Sequence, residues 1–297
     1  MSRFSLRQLQ YFVVIAESGT LSNAASRLHV SQPTLSQALT ELENALGVQL
    51  CVRRKAHGIT LTPSGSQVLH HARQLLRQAE DLQSAAAGAG PLTGVLSVGC
   101  YVTFAPTVLP PLLQGFSADH PGLTIDFTED TQDVLQRRLL SGELDIALLY
   151  DMEVSPELAR TTLYTIRPHI LLPADHPMAA QPTVSLEELT PEPMVLLSAP
   201  PSSHDTLAIY QRLNLVPRVT YRPTTYELTR ALVGRGMGYA LLVQRPANDR
   251  TYEGYPVVIK EIAEPVPDAR VVIAWPRTMR LNRRADEFVR YCTRMLG

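Results

Sequence analysis

Ser203-His204-Asp205 holds the three side-chain types of a nucleophilic triad. Contiguous residues cannot turn those side chains toward one another, and no G-x-S-x-G turn is present to expose a serine. His70 and His71 lie about 100° apart on a helix, which keeps them off a common metal ion, and no H-x-x-x-H spacing occurs. Gly234-Arg235-Gly236-Met237-Gly238 lacks the G-x-G-x-x-G order and follows a helix instead of preceding one, so it reads as a turn and not a dinucleotide loop. Cys51, Cys100 and Cys292 are odd in number, far apart and without a CxxC pair, implying neither a disulfide framework nor a zinc ribbon. No catalytic group, metal or cofactor is expected from these residues.

A different chemistry is carried by Ser31, Gln32, Pro33, Thr34, Ser36 and Gln37, short polar side chains at the start of one helix, and by Arg53, Arg54 and Lys55 shortly after it. Such side chains read base edges, while clustered cations meet phosphates or the minor groove. The elements that position them are legible. Leu6, Leu9, Phe12, Val13 and Ala16 recur at helical spacing, and Gly19 supplies a left-handed stop. Thr20 or Ser22 caps a short second helix with Ala24, Ala25 and Leu28 on its apolar face. Ser31 then caps a third helix whose Leu35, Leu39, Leu42 and Leu46 form one stripe ended by Gly47. Pro33, Gln37, Thr40 and Asn44 project opposite that stripe. Two extended runs, 48–53 and 59–62, flank the loop Arg54-Lys55-Ala56-His57-Gly58 and predict a hairpin with charge at its tip. Helix, turn, helix and basic hairpin together make a winged helix-turn-helix over residues 1–63.

Residues 64–90 form a separate piece. Val68, Ala72, Leu75, Ala79, Leu82 and Ala86 follow a heptad seam along a helix, and Gly88 to Pro91 break it into a linker. So long a helix with small seam residues predicts a partner helix from a second copy of the chain. Beyond it, 91–297 alternates strands and helices, an α/β pattern with parallel crossovers. Two lobes are expected, about 91–163 with 266–297, and about 164–265. Charge divides along the same line. The formal net charge of -1 splits into +3 over residues 1–63, from six basic and three acidic side chains, and -4 over the remainder, from 21 basic and 25 acidic. A basic head on an acidic body suits nucleic-acid contact at one end. Hydrophobic residues make up 45% and charged residues 19%, enough to bury substantial cores without a membrane-length apolar run. No membrane association and a cytoplasmic location are expected.

The residues Leu9-Gln10-Tyr11-Phe12, Ala24-Ala25, Val30-Ser31-Gln32-Pro33, Leu35-Ser36, Leu42-Glu43, Leu46-Gly47, Arg53 and Leu61-Thr62-Pro63-Ser64-Gly65 resemble the signature of the LysR-type transcriptional regulators over about 60 positions. The resemblance extends through Val98-Gly99, Pro121-Gly122, Gly142 to Ala147, His176-Pro177 and Gly236-Met237-Gly238. It implies a winged head, a dimerising linker helix and a two-lobed effector domain resembling periplasmic binding proteins. It implies as partners double-stranded DNA at dyad-symmetric promoter sites, a small-molecule effector, further copies of the chain in a homodimer or homotetramer, and RNA polymerase. Cys51 stands where the family usually has Phe, and Gln37 where Arg is common. Glutamine pairs with adenine where arginine prefers guanine, so Gln37 is expected to favour an A·T pair in each half-site. Peroxide-sensing relatives use two cysteines in the second lobe, and none lies between residues 101 and 291 here.

In open α/β sheets ligands sit beyond the carboxyl ends of strands, against helix N-termini that favour anions. That rule, with the resemblance, nominates Thr103, Thr131, Ser202, Ser203 and Tyr226 as effector contacts, with Tyr101, Val102 and Tyr150 as walls, and a small organic anion as the effector. The reading from another class is a small-molecule binding protein or enzyme with an accessory helical domain. Salt-dependent, specific binding to the promoter beside its own gene favours regulation, and turnover of a bound metabolite favours the alternative.

Overall fold

The computed structural model describes residues 3–54, 58–86 and 90–297, without the side chains of 53, 54, 80, 81 and 83–86. It divides into two compact units, residues 1–91 with 140–143, and residues 92–139 with 144–297.

The first unit contains α1 (Leu6–Ser18), α2 (Leu21–Leu28), α3 (Gln32–Leu46), the strands β1 (Cys51–Arg54) and β2 (Gly58–Leu61), and α4 (Pro63–Ala86). Each boundary has a local cause. Ser5 and Gln8 form a reciprocal capping box at the start of α1, and Gly19, at φ 66°, ends it. Thr20, rather than Ser22, caps α2 through Asn23 N–H, and the left-handed His29 ends it. Ser31 caps α3 through Thr34 N–H, and Gly47, at φ 71°, ends it. Leu9, Phe12, Ile15, Leu35, Leu39, Leu42 and Leu50 form one buried cluster. The first turns of α4 join it, since Leu69 and Ala72 are buried there and Val68 packs against it. Farther along the same helix Leu75 is 42% exposed and Leu82 is 72% exposed. The seam therefore serves the core of the head at Val68 and Ala72 and is exposed at Leu75 and Leu82.

The second unit contains β3 (Gly94–Tyr101), α5 (Ala105–Asp119), β4 (Leu123–Asp130), α6 (Gln132–Leu140), β5 (Ile146–Tyr150), β6 (Leu158–Ile166), β7 (His169–Pro173), β8 (Thr183–Val184), α7 (Leu186–Leu189), β9 (Pro193–Val195), α8 (Ser202–Arg212), β10 (Arg218–Tyr221), α9 (Tyr226–Gly234), β11 (Ala240–Leu242), β12 (Val257–Ile262), β13 (Ala269–Pro276) and α10 (Arg283–Leu296). One sheet has the order β4-β3-β5-β13-β6. Its β3 is parallel to β4 and β5, as the alternation predicts, but β13 is antiparallel to both β5 and β6. β13 returns from the second sheet, so no crossover helix dictates its direction. The second sheet has the order β11-β7-β12-β8, and a parallel bridge between Met194 and Tyr239 joins it to the pair β10-β9. The chain passes between the sheets twice, from Ile166 to His169 and from Ile262 to Ala269. Among the described residues no helix is long and apolar enough to cross a membrane.

Candidate functional site

The first candidate surface is the start of α3. Its buried side is Leu35, Ala38, Leu39 and Leu42. The opposite side leaves Ser31, Gln32, Pro33, Thr34 and Gln37 exposed and Ser36 half-buried. The Ser31 and Thr34 hydroxyls lie 2.7 Å apart, closing the first turn. Gln37 Nε2 donates to Glu41 Oε1 at 2.9 Å, and Gln8 Nε2 of α1 donates to the other oxygen of the same carboxylate at 3.0 Å.

The hairpin packs on the same core as this helix, and one acid of the helix pins its entry. Glu43 Oε1 accepts from Leu50 N–H at 2.7 Å and Cys51 N–H at 3.1 Å, at the entry to β1. On the other strand, Ile59 N–H donates to the Gly19 carbonyl at 2.7 Å. A Cβ on Gly58 would stand 2.4 Å from that carbonyl oxygen, and φ there is +73°, so glycine is required twice over. Arg53 and Arg54 belong to β1 by their backbone, paired with Ile59 and Gly58, while their side chains and all of Lys55 lie outside the described residues.

The second candidate is a narrow cleft in the second unit, with about 280 Å³ of free space counted out into open solvent. Thr103, Tyr150, Ser202, Thr206, Tyr226 and Gln244 supply its polar wall, and Leu197 with Leu241, Leu242 and Val243 its apolar one. Strand ends and helix starts position these groups. Tyr101 ends β3, and its hydroxyl donates to the Ala199 carbonyl at 2.8 Å and stands 3.1 Å from Ser202 Oγ at the start of α8. Tyr150 ends β5, where the buried Gln132 side chain accepts from its N–H at 2.9 Å and donates to its carbonyl at 3.1 Å. Gln244 Nε2 donates to Tyr150 Oη at 2.8 Å, and Tyr226 Oη donates to the Gln244 carbonyl. Burial pushes the phenols of Tyr101, Tyr150 and Tyr226 up, so they stay protonated as hydrogen-bonding groups. Thr103 is 5% exposed, and its buried Oγ1 makes no well-formed hydrogen bond but stands beside the Tyr101 and Tyr150 phenols closely enough to oppose their upward shifts.

Four of the nominated residues, Thr103, Tyr150, Ser202 and Tyr226, thus meet around one cleft, with Tyr101 attached through Ser202. Val102, Thr131 and Ser203 are not brought to its wall. Val102 N–H is tied to the Asp130 carbonyl at 3.1 Å. The Thr131 hydroxyl donates to Asp133 Oδ1 at 2.6 Å, which helps hold that carboxyl below its usual range. Ser203 is 7% exposed and faces inward. Gln244 and Thr206 were not nominated, although Gln244 follows β11 and the strand-end rule applied to that strand points to it. The triad letters are dispersed, with Ser203 buried and His204 Nδ1 2.9 Å from Glu153 Oε1. Burial pushes the Cys292 thiol up to about 12 and the Cys100 thiol well above its ordinary value, so neither is a reactive thiolate.

Residues 6–66 match the family model described as bacterial regulatory helix-turn-helix protein, lysR family, and residues 89–297 match that of the LysR substrate binding domain. HcaR, the Hca operon transcriptional activator of Escherichia coli K12, is 30% identical and aligns over 92% of each chain. The crystal structure of HinK, a LysR family transcriptional regulator from Pseudomonas aeruginosa, is 36% identical and superposes with a TM-score of 0.68 over 99% of both chains. A full-length OxyR variant from the same organism is 29% identical, with a TM-score of 0.79 over 99% of each. With its helix-turn-helix and its α/β effector-binding domain both matched, this chain belongs to the LysR family of transcriptional regulators.

Proposed function

We propose that this regulator binds dyad-symmetric promoter DNA through α3 and the wing, and that a small organic anion seated in the cleft controls it. The observation that carries the ligand reading is the convergence of the Thr103, Tyr150, Ser202 and Tyr226 hydroxyls on one cleft at the start of α8, with Thr103 Oγ1 short of a well-formed hydrogen bond. A buried hydroxyl left short of a bond costs up to about 1–3 kcal/mol, and a ligand oxygen there relieves the cost. None of the lining side chains is charged. An anion would therefore be held by hydroxyls, the Gln244 amide and the N-terminal turn of α8, with no neutralising cation in the lining.

Residues 1–63 act as the DNA-binding head, 64–90 as the dimerisation helix and hinge, and 91–297 as the effector-binding domain with its two lobes. Leu75 and Leu82, exposed on α4, would be covered in a homodimer or homotetramer. Ligand binding changes how the two lobes close, which alters the spacing of heads on DNA and contact with RNA polymerase. The chain does this in the cytoplasm and catalyses no reaction.

The test is a thermal-shift screen of the full chain against organic anions, followed by DNA binding with and without each hit. An anion at about 100 Kd adds roughly 2.7 kcal/mol of stability. It is expected to shift the affinity for the promoter beside the gene as well. Stabilisation by cations or large apolar compounds alone, with no anion effective, rejects the anion reading.

A further inference from the structure

We infer that Glu41 is a positioning residue for sequence readout, because it sets which end of the Gln37 amide is presented to a base pair. The inference rests on the proposed reading that the outer face of α3 enters the major groove. A carboxylate only accepts hydrogen bonds, and Gln37 meets Glu41 Oε1 at 2.9 Å, so the Gln37 nitrogen faces Glu41 and its oxygen faces away. One Nε2 hydrogen is used in that bond. The second Nε2 hydrogen and Oε1 remain, the donor and acceptor that adenine N7 and N6 require.

Glu41 is itself held from a second helix. Its Oε2 accepts from Gln8 Nε2 at 3.0 Å, and Gln8 Oε1 accepts from Ser5 N–H at 2.8 Å in the capping box of α1. The relay Ser5, Gln8, Glu41, Gln37 therefore runs from the first turn of α1 to the exposed face of α3, in the sense that only one amide orientation satisfies at each step. A glutamine free of Glu41 is able to flip, and the flipped amide offers its N–H groups to guanine O6 or N7 instead. Glu41 also places a negative charge beside the DNA face, which lowers affinity for every sequence alike. Orientation and charge thus have separable signatures: one acts at a single base pair, the other at all of them.

The test uses the full-length chain and a preferred site selected from randomised duplex DNA, then measures binding to every single-base-pair variant of that site. Wild type is expected to discriminate at one A·T pair per half-site by about tenfold to a hundredfold, and Gln37→Ala to flatten that position. Glu41→Ala is expected to reduce the same discrimination by about tenfold, chiefly by gaining affinity for G·C, while binding to unrelated duplexes is equal or tighter. In the Gln37→Ala background, Glu41→Ala should no longer change that position. Glu41→Gln, with one accepting oxygen in place of two, should recover part of the discrimination. Circular dichroism confirms that both Glu41 variants keep the helical head. Full discrimination in Glu41→Ala, or an equal loss with Gln37 already removed, overturns the inference. If Gln37→Ala itself alters no position, the readout assignment of α3 fails and the inference falls with it. That result is distinguishable from a fault in Glu41 alone, because it appears in the single Gln37 variant.

Discussion

Gln244 Nε2 donates to Tyr150 Oη at 2.8 Å, joining the end of a strand in one sheet to the segment just after a strand in the other. Tyr150 is 1% exposed and Gln244 5%, so neither group has water as a substitute partner. Gln244→Leu and Tyr150→Phe should each cost about 1–2 kcal/mol, since each leaves the other's polar atom buried and short of a bond. The double variant should cost less than the two losses added, by on the order of 1 kcal/mol. Urea midpoints of the four proteins measure this, and strict additivity would contradict the coupling.

Thr103→Val removes a buried hydroxyl that makes no well-formed hydrogen bond and keeps the side-chain shape. The unliganded chain should gain up to about 1 kcal/mol, seen as a raised Tm. The same variant should lose most of the stabilisation given by any anion that the wild type recognises. Stability and ligand response moving in opposite directions is the diagnostic result. A Thr103→Val chain that is less stable and equally ligand-responsive would remove Thr103 from the site.

The elements of the head were legible in the sequence because their signals are local. Ser5, Thr20 and Ser31 cap through neighbours three residues away, and Gly19 and Gly47 stop helices at positive φ. The second unit was legible only where strand and helix alternate. β6, β7 and β12 lie in stretches with no such rhythm. β7 is five wholly buried residues, preceded by Pro168 and ending in Pro173, a length at which periodicity has nothing to act on. The antiparallel entry of β13 depends on a partner more than a hundred positions away. For the cleft, residue type and strand ends found Thr103, Tyr150, Ser202 and Tyr226. Thr131 and Ser203 share the same types, but one hydroxyl is committed to Asp133 and the other residue points inward, facts that only packing decides.

Glu43 should prove the most sensitive acid of the head. Its side chain accepts two charge-assisted bonds from backbone N–H groups, at 2.7 and 3.1 Å, and they fix where β1 begins. Glu43→Ala should destabilise the head by about 2–3 kcal/mol and weaken DNA binding at all sequences, because the wing loses its anchor. Glu43→Gln keeps an accepting oxygen and should lose less. Thermal melting and fluorescence anisotropy on specific and unrelated duplexes check both effects. Weakened binding confined to one base pair would instead assign Glu43 a role in readout.

His169 should make the protein acid-sensitive, chiefly through burial. It is 0% exposed at the start of β7, opposite Leu242 on one side and Glu261 on the other, with neither ring nitrogen hydrogen-bonded. Burial, helped by the nearby Arg245 cation, lowers its pKa to about 3. An unfolded chain binds that proton near pH 6.5, well before the folded one does. The neutral ring's contribution is therefore fully present above about pH 6.5 and is lost as pH falls toward 3, at about 1.4 kcal/mol per pH unit for this group. His169→Leu removes both the titration and two unsatisfied buried nitrogens. At pH 7.5 it should be neutral or stabilising, and between pH 7 and pH 5 its stability should fall less than that of wild type, by roughly 2 kcal/mol. Urea titrations at the two pH values make the comparison. Equal slopes for the two proteins would mean that His169 finds a partner for its charge in the folded state.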